Sequence, residues 1–186
     1  NSKDWRDWPY LAGDAAVQAA DGYFRILGRI DDVINVAGHR LGTKELESAS
    51  MTVEEISEAA AVPVMDELRG RAVEIYVALK PGLAPSKDIE AKVAKAIEAR
   101  IGKIARPTYV WIVPDMPKTR SGKLMRRVIA GISNFTEVGD TTTLANPEIV
   151  EEIRHQVQGE KLKQGKVPHQ LSPEEIEEIA AFGAAE

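Results

Sequence analysis

The stretch Pro117–Arg127 reads P-K-T-R-S-G-K-L-M-R-R, and the rest of the chain is organised around it. Between Lys118 and Ile132 there are five cations (Lys118, Arg120, Lys123, Arg126 and Arg127) and no carboxylate. Ser121-Gly122 is a turn signal, because Gly accepts positive-φ backbone without a Cβ clash. The residues that follow, L-M-R-R-V-I-A-G-I, place apolar side chains at helical spacing with a Gly near the end. Lys123 is therefore expected at a loop tip or in the first turn of a short helix, held out from the body. A lysine so placed suits one task, bringing a compact positive charge to an anionic centre. Read alone, S-G-K is more often the solvated start of a basic helix. A phosphate loop of the form G-x-x-x-x-G-K-[ST] is excluded: the upstream Gly is missing and Leu124 stands where the hydroxyl belongs.

Upstream of this stretch, Pro107–Pro114 (P-T-Y-V-W-I-V-P) reads as a buried strand that delivers the chain to the Lys123 loop. Before it, Ser86 caps an amphipathic helix over Lys87–Ile101, with Ile89, Val93, Ala96, Ile97 and Ile101 inward. Glu58–Met65 and Arg71–Lys80 are strands separated by the polar turn D-E-L-R-G. Thr43 is expected to cap a preceding helix that faces Leu46 and Ala49 inward. The order α-β-β-α-β-α over Asp32–Ile132 defines an α+β domain with a short mixed sheet flanked by helices.

Ala15–Ile30 reads as a hairpin turning at Asp21-Gly22. Two strands alone are marginal in water, so it either packs on the body or belongs to another domain. Asn1–Pro9 starts with no element of its own, as a cut through a larger protein would. The expected division is 1–30 as the end of a large domain, 31–32 as a hinge, 33–132 as a small domain and 133–186 as an extension and tail. In the extension, G-D-T-T-T-L-A-N-P is a loop with an N-cap, followed by a helix from Pro147. From Gly159 the chain is highly charged, and a short helix on a mobile tail competes with simple disorder.

Composition narrows the function classes. Cys is absent, which removes disulfides, thiolate zinc sites and cysteine nucleophiles. No run approaches the ~20 apolar residues of a membrane helix, and the N-terminus is no signal peptide, so a cytoplasmic protein is expected. The net charge is −5; Asn146–Glu186 holds nine acids and four bases, leaving the remainder balanced. The basic stretch thus sits in a neutral body as a local anion site, without the wider basic surface of a nucleic-acid-binding face.

Three separated stretches resemble one family. They are Y-L-A-G-D (Tyr10–Asp14) leading into D-G-Y-F-R-I-L-G-R-I-D-D-V-I-N-V-A-G-H-R-L-G-T, then P-K-T-R-S-G-K-L-M-R-R, then G-D-T-T-T-L-A-N-P. Together they look like the C-terminal part of the AMP-forming acetyl-CoA synthetases, within the adenylate-forming superfamily. G-H-R-L-G-T and G-D-T-T-T-L point to the branch that handles acetate or propionate. The resemblance implies a ligase using ATP, CoA and Mg2+. A carboxylate attacks the α-phosphate of ATP, pyrophosphate leaves, and the CoA thiol then displaces AMP from the acyl-adenylate. It also implies a missing N-terminal domain, so that the chain as given would be an inactive fragment.

Residue by residue, Lys123 matches the lysine that meets both the substrate carboxylate and the α-phosphate. The same lysine is an acetylation switch in the family, which implies a lysine acetyltransferase and a deacetylase as partners. Asp14 matches the aspartate that binds the ribose hydroxyls, although Ala12 stands where the family usually has Thr. Arg29 and Arg40 match arginines that contact the nucleotide or its phosphates, and Asp31 matches the hinge. Ala37 and Gly38 match a loop lying against CoA, where Gly38 would leave room for the pantetheine arm. Taken alone, Asp14 is a turn acid, Arg29 and Arg40 are ion-pairing surface residues, Asp31 is a loop aspartate and Gly38 is a turn glycine. His39 beside Arg40 is more simply structural than a general base.

Two departures stand out. Glu98 occupies the position of a CoA-binding arginine, where a carboxylate would repel phosphate; Arg100 or Arg106 is then the replacement, or CoA is held differently. Met51, Val53 and Ile56 match positions that hold a metal in relatives, one of which is usually His, and Val53 offers only its backbone carbonyl. The competing readings are a ligase for propionate or another short acid, a non-catalytic binding or regulatory module, and the disfavoured nucleic-acid-binding domain.

Overall fold

The computed structural model describes residues 13–29, 32–66, 69–166 and 171–182. The hairpin turning at Asp21-Gly22 forms as expected, from β1 (Asp14–Gln18) and β2 (Phe24–Arg29) in antiparallel register. Its turn is closed by the Tyr23 N–H donating to Asp21 Oδ1 at 3.2 Å. Val17, Tyr23, Phe24 and Ile26 on this hairpin are all more than half exposed, so these four side chains are not buried on the body.

A second hairpin, β3 (Val33–Val36) and β4 (His39–Gly42), follows. Its two-residue turn has Ala37 at φ 48° and Gly38 at φ 84°, the left-handed pair that matches strand twist. Ile34, Val36 and Leu41 point inward and are buried, each worth about 1.5–3 kcal/mol relative to exposure. The helix α1 (Thr43–Ser50) starts immediately after. Thr43 does not cap it: Gly42 holds the N-cap position, and Thr43 is the first helical residue. Its N–H donates to the Asp32 carbonyl at 3.1 Å, and its buried Oγ1 has no hydrogen-bond partner among the described residues.

The central sheet is β5 (Ile56–Asp66), β6 (Gly70–Leu79) and β7 (Tyr109–Val113), in that order. β5 and β6 are antiparallel, whereas β6 and β7 are parallel and connected through α2 (Lys87–Ile101). Ser86 caps α2 as its sequence requires, its Oγ accepting from the Ile89 N–H at 3.3 Å. Ile89, Val93 and Ile97 form the buried stripe of that helix. The small mixed sheet flanked by helices is the α+β architecture expected.

After β7 come the Lys123 loop and α3 (Arg126–Ser133), then α4 (Glu148–Lys163) and α5 (Pro173–Ala181). The N-cap expected in the loop before α4 is not made by a side chain. Pro147 takes the cap position, and Asn146 turns its amide back toward residues 115–118. The helix expected near the C-terminal end is α5. It opens with a reciprocal box in which the Glu175 N–H donates to Ser172 Oγ and the Ser172 N–H to Glu175 Oε2. Ile153, Val157, Ile179 and Phe182 join the same apolar cluster as the sheet, so α4 and α5 are packed elements. No helix among the described residues is long and apolar enough to cross a membrane.

Candidate functional site

Buried Met116 anchors the chain as it leaves β7, and Asp115 Oδ1 accepts the Met116 N–H at 2.7 Å. Residues 118–124 then form a tight hairpin. Lys118 bridges Leu124, the Thr119 N–H donates to the Lys123 carbonyl at 2.8 Å, and the Gly122 N–H donates to the Thr119 carbonyl at 2.9 Å. Gly122 sits at φ 82°, the left-handed backbone the turn signal anticipates. Thr119 Oγ1 accepts the Lys123 N–H at 3.0 Å and shares a 2.9 Å hydrogen bond with Ser121 Oγ. Lys123 thus stands where the tip closes, before α3, and is exposed.

The five cations of this stretch divide sharply. Lys118 Nζ bonds Glu58 Oε1 at 2.7 Å and Asp115 Oδ1 at 3.0 Å. Burial lowers the Lys118 pKa, but the bonds to Glu58 and Asp115 outweigh it and leave the ammonium above its usual value. Arg126 is buried and grips Glu47 in a fork, Nε to Oε1 at 2.8 Å and Nη2 to Oε2 at 3.0 Å. Glu47 Oε1 also accepts the Ala61 N–H, which ties α3 and α1 to β5. Arg127 donates to the Asp140 carbonyl at 2.7 Å. Among the described residues, Arg120 and Lys123 are the exposed cations of the stretch whose side chains carry no such bond. The anion site expected from five charges is therefore concentrated on two.

The other sequence-derived candidates fall in three places. Asp14 and Arg29 are cross-strand partners in the first hairpin, and the Arg29 guanidinium lies against Gly13. Arg29 also lines an open groove of about 560 Å³ that runs past Asp32, Thr43 and Lys44 to Arg100. Arg40 and His39 are exposed on β4. Ala37 and Gly38 form the β3–β4 turn and line a groove of about 280 Å³ with Asn35, Met65, Arg69 and Arg71. Among the described residues, none beyond its chain neighbours comes within 4 Å of the position a Gly38 side chain would take, so the turn backbone (φ 84°) is what calls for glycine there. Lys123 lines neither groove. Asp31 lies outside the described residues.

Glu98 sits on α2 with its carboxylate 3.9 Å from the Arg106 guanidinium, so the reversed charge at this position has a cation beside it. Arg100, also exposed, faces the groove that holds Arg29. At Met51, Val53 and Ile56 no side chain can ligate a metal well, and the Val53 carbonyl already accepts the Ile56 N–H at 3.1 Å. Among the described residues no group of three or more His, Asp or Glu is arranged to hold a metal ion.

Sequence reasoning missed a buried charge cluster behind the hairpin's helix. Lys161 on α4 places Nζ 2.6 Å from Glu74 Oε1 and donates to the Ser133 carbonyl at 2.7 Å. Glu74 Oε2 accepts from Trp111 Nε1 at 2.9 Å and Ser133 Oγ at 3.0 Å. Burial drives the Lys161 pKa below the usual lysine value, with Glu74 opposing the shift. The only sequence signal was a carboxylate inside the apolar strand R-A-V-E-I-Y-V.

A small mixed sheet flanked by helices thus presents the exposed Lys123 on a tight loop between strand and helix. Residues 45–123 match the family described as AMP-binding enzyme C-terminal domain. It is 45% identical over 150 residues to an acetyl-coenzyme A synthetase of Methanothrix thermoacetophila, covering 81% of this chain and 23% of that protein. Among solved structures it is similar to an anthranilate CoA ligase in complex with anthranoyl-AMP, with TM-score 0.60 and 27% identity over 66% of this chain and 24% of that one. It is likewise similar to ATP-bound MatB from Rhodopseudomonas palustris, with TM-score 0.57 and 27% identity over 64% of this chain and 23% of that one. The chain spans about a quarter of the length of the curated relatives it matches.

Proposed function

We propose that this chain is the C-terminal, lid-bearing portion of an AMP-forming ligase that makes acetyl-CoA from acetate, ATP and CoA. The observation that carries the reading is the presentation of Lys123: its hairpin is closed by bonds between Thr119, Gly122 and Lys123 while the lysine itself is left exposed. In the first step an acetate oxygen bonds the α-phosphorus and the bond to pyrophosphate breaks. Two anions must approach, so a preorganised cation where their charges meet lowers the barrier. Lys123 supplies that charge. In the second step the CoA sulfur bonds the acyl carbon, the bond from that carbon to the AMP oxygen breaks, and the thiol proton passes to solvent.

Asp14 is assigned to the ribose hydroxyls, and Arg29 and Arg40 to the nucleotide. Ala37 and Gly38 are assigned to the pantetheine arm, and Asp31 to the hinge between the two half-reactions. Mg2+ would enter with the ATP phosphates and be held outside this chain. Acetylation of Lys123 would remove the charge and stop the first step. Acetate, rather than propionate or another short acid, rests on the names of the relatives, because the acyl pocket would be built by another part of the enzyme.

The test is stoichiometry. The complete enzyme with acetate, ATP and CoA should release AMP, pyrophosphate and acetyl-CoA in equal amounts. Release of ADP and phosphate, or no acetate dependence, would refute the reading.

A further inference from the structure

The loop G-D-T-T-T-L-A-N-P, which joins α3 to α4, lies along the back of the Lys123 hairpin. Thr119 bridges Leu144, whose side chain is buried, and the Ala145 N–H donates to the Lys118 carbonyl at 2.8 Å. These bonds add a third extended segment to a ribbon otherwise held by the single bridge of Lys118 to Leu124 and its turn. A ribbon that short is not rigid by itself. At the end of the added segment, Asn146 uses both halves of its amide. Its Oδ1 accepts the Lys118 N–H at 3.2 Å, and its Nδ2 donates to the Met116 carbonyl at 2.9 Å and to Asp115 Oδ2 at 3.0 Å. Asp115 in turn holds the Lys118 ammonium, which also reaches Glu58 on β5. One side chain therefore joins the outer edge of the strand entering the hairpin to the ion pairs that fix it to the sheet. Leaving Asn146 in this role costs α4 its expected side-chain cap.

We propose that Asn146 is a positioning residue for Lys123: clamping residues 115–118, it fixes the direction in which the hairpin presents the lysine. The proposal rests on the assignment of Lys123 to the adenylation step. Asn146 touches no substrate, so its effect passes through hairpin geometry, where a misplacement of about 1 Å is worth up to ~100-fold in rate.

The test uses the complete enzyme, with acetate-dependent ATP–pyrophosphate exchange reporting the first step and thioester formation from pre-made acetyl-adenylate reporting the second. Asn146→Ala should slow exchange by about 10–100-fold in kcat, with KM for ATP and acetate little changed and the second step intact. Asn146→Asp keeps the acceptor for the Lys118 N–H but sets a carboxylate against Asp115 Oδ2 and the Met116 carbonyl, so it should slow exchange at least as much as Asn146→Ala. In a Lys123→Ala background, Asn146→Ala should slow exchange no further. The ratio of the two half-reactions is insensitive to the folded fraction, so partial destabilisation leaves it readable. Unchanged exchange, an equal fall in both halves, or multiplying losses in the double variant would overturn the proposal. If Lys123→Ala itself leaves exchange intact, the adenylation assignment fails and this proposal with it.

Discussion

Replacing Lys161 with Met removes a buried cation while keeping the length of the side chain. The Lys161 and Glu74 side chains are only 4% and 1% exposed, so neither can recover its lost partner from water. Glu74 would keep the bonds from Trp111 and Ser133, but its carboxylate would lose the ammonium at 2.6 Å. Breaking a buried pair by deleting one partner costs about 3–5 kcal/mol, against at most about 1 kcal/mol for an exposed pair. That is a large part of a domain's 5–15 kcal/mol of stability and corresponds to a fall in Tm of roughly 6–20 °C. Urea denaturation of the 186-residue chain, with Lys161→Met, Glu74→Gln and the double variant, reads the effect. The double variant should lose at least about 1 kcal/mol less than the two single losses added together. A cost below about 1 kcal/mol for Lys161→Met, or strict additivity, would refute the view that this pair pins α4 to the sheet.

Gly38→Asn, a side chain that tolerates left-handed backbone better than most, should leave pyrophosphate exchange intact while slowing thioester formation by an order of magnitude or more; unchanged CoA turnover would make the turn merely structural. Asp31→Pro in the complete enzyme should impair one half-reaction far more than the other, and equal loss of both would count against a hinge. Burial raises the Asp115 pKa, but the bonds from Lys118 and the Met116 N–H more than reverse this and leave the carboxyl below its ordinary value. Asp115 therefore contributes stability that is present at neutral pH and lost as pH falls below that ordinary value. Asp115→Asn should flatten the acid limb of Tm against pH, and an unchanged limb would show that the pair contributes nothing.

The sheet and its helices were legible because their signals are local. Ser86 caps α2, Asp21-Gly22 turns the first hairpin, and the apolar runs of β5, β6 and β7 read directly as strands. The β3–β4 hairpin was not, because Ala37 takes left-handed backbone that its residue type does not advertise. Thr43 misled for a related reason: Gly42 already supplies the extended residue at the cap, moving the threonine into the helix. At the site, the tip geometry around Gly122 was readable, but the division of labour among the five cations was not. The partners of Lys118 and Arg126 are Glu58 and Glu47, which lie 60 and 79 residues away in sequence. Asn146 fits a helix cap as well as a clamp, and only the path of the chain decides between them.

Lys123→Ala in the complete enzyme, with both half-reactions measured separately, tests the central claim most directly. Loss of one preorganised charge contact at the reacting phosphate costs about 3–4 kcal/mol, or 10²–10³ in rate. Acetate-dependent pyrophosphate exchange should fall by that factor, Lys123→Arg should not restore it, and acetylation of Lys123 should reproduce it until a deacetylase reverses it. Thioester formation from pre-made acetyl-adenylate should continue. Exchange at the normal rate in Lys123→Ala would contradict the account and leave this exposed lysine as the solvated start of a helix.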